Sequence, residues 1–150
     1  MFINEMELKF KSHSINESFA RSAVAGFCVQ LNPSLDEITD IKTAVSEAVT
    51  NCVVHAYPKE KGEVRIWVGL MEGEVLIKVF DEGVGISDVE KAREPFYTTK
   101  PSEERAGMGF TVMESFMDSV NVYKNENRGI IVEMKKSIQN KKAKMKGVRG

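Results

Sequence analysis

Apolar residues recur along this chain with two different periods. In "NEMELKFKS", Met6, Leu8 and Phe10 alternate with charged neighbours, the two-residue period of a half-buried strand. "GEVRIWVGL" and "EVLIKVF" repeat that alternation on either side of the turn "MEGE", which predicts a hairpin, and "SVNVYKN" and "GIIVEMKK" predict a second one around "ENRG". Two segments carry helical stripes instead. "SINESFARSAVAGFCVQL" opens with Ser14 and Glu17, and "SLDEITDIKTAVSEAVTNCVVHAY" opens with Ser34 and Glu37. Both pairs have the spacing of a capping box. A long stretch rich in Gly, Pro and charge runs from Asp81 to Gly109, and "FTVMESFMD" after it predicts a third helix. The predicted order is β-α-α-β-β-loop-α-β-β. Its fold class is an α/β two-layer sandwich: a mixed, largely antiparallel sheet with the helices on one face.

At 150 residues and 42% hydrophobic, the chain suits one domain with one core. Its net charge of -1 is unevenly spread. Residues 135–150 hold seven Lys or Arg and no acid, which leaves about -8 on the first 134. An acidic body disfavours nucleic acid as a direct partner. "KKSIQNKKAKMKGVRG" reads as a solvated basic extension, giving a domain over 1–136 and a disordered tail over 137–150. Cys28 and Cys52 sit among apolar residues without CxxC spacing and read as buried thiols of a reducing compartment. With no signal peptide and no membrane-spanning apolar run, a cytoplasmic location is expected, with no membrane partner.

Within the second helix, Ile38, Ile41, Val45, Ala48 and Cys52 define the core stripe. Glu47, Asn51 and His55, spaced by four, form a polar row on its margin. That row is either the wall of a cleft or a solvated face ending in a helix-terminal histidine; a hard-cation site is a third possibility. "VLIKVF" runs directly into "DEGVGI", with Asp81 at the strand end and Gly83 and Gly85 after it. A carboxylate there can accept from an exocyclic amino group, or the stretch is an ordinary Asp-Gly turn. Gly107 and Gly109 in "ERAGMGFTVMESF" are read as preceding a helix, where free N–H groups and the helix dipole make an anion site. The pattern is neither a P-loop nor a Rossmann turn. Between the two glycine motifs, "EPFYTTKPSEERA" carries Pro95, Thr98, Thr99, Lys100 and Arg105, and is either a lid over phosphates or a solvated surface loop.

Taken in order, these motifs resemble the GHKL ATPases, the group of the gyrase, heat-shock chaperone, histidine kinase and mismatch-repair ATP sites. "SEAVTNCVVHAY" is similar to their N box, "DEGVGI" to the adenine-binding box and "AGMGF" to the second glycine box. A narrower resemblance is carried by "NESFAR", "SEAVTN", "DEGVGI", "PFYTTKP" and "GMGFTVMESFMD". It is to the anti-sigma serine kinases of spore-forming bacteria, strongest to the sporulation anti-sigma F branch, and it covers residues 5 to 136.

The resemblance implies a serine protein kinase that sequesters a sporulation sigma factor and phosphorylates a serine on its anti-anti-sigma antagonist. ATP/ADP and Mg2+ are the implied cofactors. Asn51 would bind Mg2+ through its amide oxygen, and Glu47 would accept or orient the proton of the attacking serine hydroxyl. Asp81, with Gly83 and Gly85, would read adenine. Thr98, Thr99, Lys100 and Arg105 would form the lid. Gly107, Met108, Gly109 and Phe110 would sit at the phosphates, and His55 would end the wall. An exposed Arg21 in "SFAR" would contact partners, and the protein would be a homodimer holding sigma across both subunits. One position departs from the pattern: Ile130 stands where many members carry Thr in support of adenine binding. Three rivals share the motifs: a stress-response anti-sigma kinase, a non-catalytic nucleotide-binding sequestration module, and a detached histidine-kinase ATPase domain. Glu47 argues against the second. The last is expected to need a preceding phosphoacceptor domain, for which the chain leaves no room.

Overall fold

The computed structural model of the protein describes residues 1–57, 61–83, 101–126 and 128–139, with the backbone alone for 101–108. Strands β1 (Asn4–Lys11), β2 (Glu63–Met71), β3 (Glu74–Asp81), β4 (Ser119–Lys124) and β5 (Ile130–Ser137) form one sheet in the order β1-β2-β3-β5-β4. The sheet was expected to be mixed and largely antiparallel, and every pairing among the described strands is antiparallel. The β2–β3 and β4–β5 pairs follow the two predicted hairpins, the first turning through Gly73 at φ 72°, a value that favours glycine.

Register decides which residues meet. Leu8, Ile66, Val79, Val132 and Val122 make one row across the sheet, and Met6, Val68, Ile77, Met134 and Val120 the next. Both rows lie on the face that joins the helices in a single core. Burying a large aliphatic side chain is worth about 1.5–3 kcal/mol, so this alternation fixes the pairing. The opposite face is amphipathic. Arg65 stacks over Phe80 at 3.8 Å and ion-pairs with Glu7 at 3.3 Å, while Lys78 reaches Glu133 at 3.8 Å.

Helices α1 (Asn16–Cys28), α2 (Leu35–Thr50) and α3 (Pro101–Phe116) form the second layer. α2 starts as predicted. Ser34 Oγ accepts from the Glu37 N–H at 3.1 Å, and the Ser34 N–H donates to Glu37 Oε1 at 2.8 Å, an arrangement worth about 1 kcal/mol. The box predicted at Ser14 and Glu17 does not form; α1 has no side-chain cap, and the Glu17 carboxylate instead accepts from the Thr50 hydroxyl. α3 differs more. It begins at Pro101 rather than at Phe110, because "PSEE" is itself a helix start, with proline at the first position and acids in the first turn.

Packed structure continues past Lys136. β5 reaches Ser137, Ile138 is buried, and the Gln139 N–H donates to Glu37 Oε2 at 2.7 Å. Buried Lys136 donates to the last-turn carbonyl of Phe116 at 2.8 Å and ion-pairs with Asp40 at 3.2 Å, tying α3, α2 and β5 together. Charge at a helix C-terminus is favourable for a cation. Residues 140–150 lie outside the described residues.

Candidate functional site

The polar row stands where α2 changes its winding. Beyond Thr50 the chain continues as a π-helical segment, Asn51–Ala56, closed by the Tyr57 N–H donating to the Cys52 carbonyl at 3.2 Å. Such wide turns are often found at functional sites. Here the segment turns Asn51 and Cys52, adjacent in sequence, to two different neighbours. Asn51 faces α3 and Cys52 faces the end of β3.

Gly109 is what lets α3 approach. A Cβ built on it would lie 3.1 Å from Asn51 Oδ1 and 3.4 Å from Glu47 Oε2. Between the helices is a cavity of about 340 Å³, with Glu47, Thr50, Asn51 and His55 on one wall and Gly109 and Val112 on the other. The row is therefore the wall of a cleft. Asn51 is buried, yet its Nδ2 has no hydrogen-bond partner among the described residues. An unmatched buried amide costs about 1–3 kcal/mol, which a ligand entering the cavity would recover. No cluster of three acidic, His or Cys ligands occurs among the described residues. One neutral amide beside an open cavity suits Mg2+, which keeps most of its waters and takes few protein ligands.

Glu47 is half-buried. Burial raises its pKa above the ordinary carboxylate value, and the nearby charge of Glu17 raises it further. Glu17 is held there by its bond to Thr50, which also lines the cavity. A carboxyl tuned upward is a better proton acceptor near neutrality. Arg21, expected to be exposed, is half-buried instead, and its Nη1 donates to Ser46 Oγ at 3.2 Å, next to Glu47.

Asp81 closes β3 at 2% exposure. Its Oδ1 accepts from the Gly83 N–H at 3.0 Å and the Ile130 N–H at 3.3 Å, and the Cys52 thiol lies 3.8 Å from Oδ2. Burial raises the Asp81 pKa, and these three donors lower it. The Asp81 carbonyl takes the Asn125 amide at 2.8 Å, and Arg128 Nε donates to the Gly83 carbonyl at 2.8 Å. Gly83 cannot carry a side chain, since a Cβ would strike the Ala56 carbonyl. Ile130, the position that departs from the family pattern, puts its side chain in the core and contributes only its N–H.

Glu47, Asn51, His55 and Gly109 thus meet at one cavity, with Asp81 and Gly83 linked to it through Cys52. Gly107 and Gly109 lie inside α3, so their amides are not the free N–H groups of a helix start; Gly109 serves by close approach. Phe110 is fully buried in the core and packs there. The side chains of Arg105 and Met108 lie outside the described residues, as do Gly85, Pro95, Thr98, Thr99 and Lys100 entirely. Reading the sequence missed Thr50, Glu17 and Cys52. The i,i+3 step from Glu47 to Thr50 was the available sign for Thr50. No local pattern announces contacts between residues about thirty apart.

Comparison with known proteins gives a consistent picture. Residues 13–136 match the model of the histidine kinase-like ATPase domain. The anti-sigma F factor of Caldanaerobacter subterraneus subsp. tengcongensis is 56% identical over 135 residues, covering 90% of this chain and 94% of that protein. The anti-sigma F factor of Geobacillus kaustophilus is 55% identical over 93% of this chain and 97% of its own. Among solved structures, one of the RsbU and RsbW domains of a Mycobacterium tuberculosis protein superposes with a TM-score of 0.65. It does so at 17% identity over 90% of this chain and 32% of that one. The histidine kinase domain of a blue-light activated kinase from Erythrobacter litoralis gives 0.54, also at 17%, over 81% of this chain and 60% of its own. At that identity the two structures speak for the fold alone.

Proposed function

The chain belongs to the histidine kinase-like ATPase family and, within it, to the anti-sigma F factors, and from that premise we propose that it is an ATP-dependent serine kinase as well as an anti-sigma factor. It sequesters a sporulation sigma factor. It is released when a serine-bearing anti-anti-sigma antagonist binds and is phosphorylated. It works as a homodimer in the cytoplasm.

The observation that carries this reading is Glu47 and Asn51 on one wall of a cavity whose other wall, at Gly109, has no side chain. The Asn51 side-chain oxygen, on the cavity wall, is the group that would hold Mg2+, and its Nδ2 is a donor that a phosphate oxygen can satisfy. When bound, Mg2+ neutralises phosphate charge, which phosphoryl transfer needs more than covalent assistance. Glu47 accepts the proton of the incoming serine hydroxyl, and its raised pKa suits that role. Asp81 accepts from the amino group of the base.

The test is incubation of the protein with γ-labelled ATP and a candidate antagonist. Acid-stable label on a serine is the expected result. Acid-labile label points to a histidine kinase. Nucleotide-dependent capture of sigma without any label points to a sequestration module. A sigma factor of the stress response in place of a sporulation one changes the partner and leaves the chemistry.

A further inference from the structure

The Cys52 thiol and the Asp81 carboxylate are both buried, at 3% and 2% exposure, with Sγ and Oδ2 3.8 Å apart. A thiol carries one weak S–H donor, and the Asp81 carboxylate is the acceptor it faces. An ionised carboxylate offers about four acceptor positions. At Asp81, two on Oδ1 are taken by the Gly83 and Ile130 N–H groups and one on Oδ2 by the thiol. Counting the described residues, one position remains, on Oδ2. Ile130 contributes no side-chain donor, so among the described residues the thiol is the side chain that fixes this oxygen.

We propose that Cys52 is a positioning residue for base recognition: its S–H fixes Oδ2 of Asp81, keeping that oxygen free to accept from the amino group of a 6-aminopurine nucleotide. The proposal rests on the reading of Asp81 as the base-binding carboxylate. Without the thiol, buried Oδ2 has no donor among the described residues. The carboxyl then takes up a proton more readily, and a protonated oxygen cannot accept from an amino group.

The experiment measures calorimetric affinities of the full-length protein for ATP and for purine riboside triphosphate, which lacks the amino group. Unmodified protein, Cys52→Ala and Cys52→Ser are compared. The unmodified protein should prefer ATP by about tenfold or more. Cys52→Ala should cut that preference by at least about threefold and leave affinity for the amino-free nucleotide within about twofold, whereas Cys52→Ser, with a hydroxyl donor, should retain the preference. Cys52→Val, which adds bulk without a donor, replaces the alanine variant if that one does not fold. An unchanged preference in the donor-free variant overturns the proposal and leaves the Asp81 reading intact. No preference in the unmodified protein overturns the Asp81 reading, and the proposal with it.

Discussion

Gly109 of α3 stands directly against Asn51 of the π-helical segment, close enough that a Cβ on the glycine would come within 3.1 Å of the amide oxygen. Inside a helix, Gly costs about 1 kcal/mol relative to Ala, so the bare position is maintained against helix propensity. Gly109→Ala should therefore leave the melting temperature unchanged or raise it, while pushing Asn51 and Glu47 aside. We expect ATP affinity in Mg2+ to fall by about tenfold or more, since a displacement of a few tenths of an ångström disturbs a preorganised site. Calorimetry and a thermal melt on the same sample check both halves; a variant that melts normally and binds ATP normally removes Gly109 from the site.

Glu17 and Glu47 supply a prediction about pH. The Glu47 pKa is raised, first by burial and then by the charge on Glu17. A base must be ionised to act, so phosphorylation should be lost as pH falls through that raised value, earlier than for an ordinary glutamate. The same shift makes ionised Glu47 a cost to the fold above its unfolded pKa, recovered as pH falls through the folded one. Glu17→Gln keeps an acceptor for Thr50 and removes the charge, so the acid limb should move to lower pH. A single-turnover rate profile of the two proteins measures this, and coincident limbs would refute the coupling.

Much of this architecture was legible from the chain because its strands alternate cleanly. Val64, Ile66, Val68 and Leu70 fall on one face, and a slip of one residue would turn all four to solvent. The Ser34–Glu37 box was legible because both partners are local. The equally spaced Ser14–Glu17 pair misled, since Thr50, a residue of another helix, competes for the Glu17 carboxylate. The start of α3 was hidden by its two glycines, which read as a loop although "PSEE" carries the helix-start signal. The π-helical winding at Asn51 has no sequence signature of its own. It places Asn51 against Gly109 and Cys52 against Asp81, contacts between residues far apart in the chain, and so the Cys52–Asp81 contact could not be anticipated.

The C-terminal boundary yields a truncation test. Composition placed the edge after Lys136, yet Ser137 donates its N–H to Asp118 at 2.6 Å, Ile138 is buried, and Gln139 bonds Glu37. Removing everything beyond Lys136 loses the buried Ile138 side chain and three hydrogen bonds, the third from the Ile138 N–H to the Gly73 carbonyl at 2.9 Å, a loss of about 3–6 kcal/mol. The melting temperature should drop by about 5 °C or more. Ending the chain after Gln139 should change it by less than about 1 °C. Equal melting of the two truncated proteins would show that residues 137–139 contribute nothing.

Asp81→Asn separates fold from recognition. The amide oxygen can still accept from Gly83 and Ile130, so the strand end should survive. Its NH2 then replaces Oδ2, setting a donor against both the Cys52 thiol and an incoming amino group. ATP affinity should fall by about ten- to a hundredfold, and the preference over GTP should shrink. Unaltered affinity in a folded variant would remove Asp81 from the base site.

Glu47→Gln sets kinase against sequestration module. Glutamine matches glutamate in size, so the contact with Gly109 and the shape of the cavity are retained. What is lost is the proton acceptor and one negative charge. General-base contributions are typically about a hundred- to ten-thousandfold in rate. Phosphate transfer to the antagonist should therefore drop by at least about a hundredfold. ATP binding should not weaken, because the lost charge would have repelled the phosphates, and a rate effect without an affinity effect is the mark of a group acting in the transition state. Sigma binding in the presence of ATP should persist, giving a protein that holds its partner but cannot inactivate the antagonist. Normal phosphorylation by the variant would exclude Glu47 as the base. Loss of ATP binding together with phosphorylation would instead make the polar row a structural feature, because a size-matched change that removes a charge repelling the phosphates would then have collapsed the cavity.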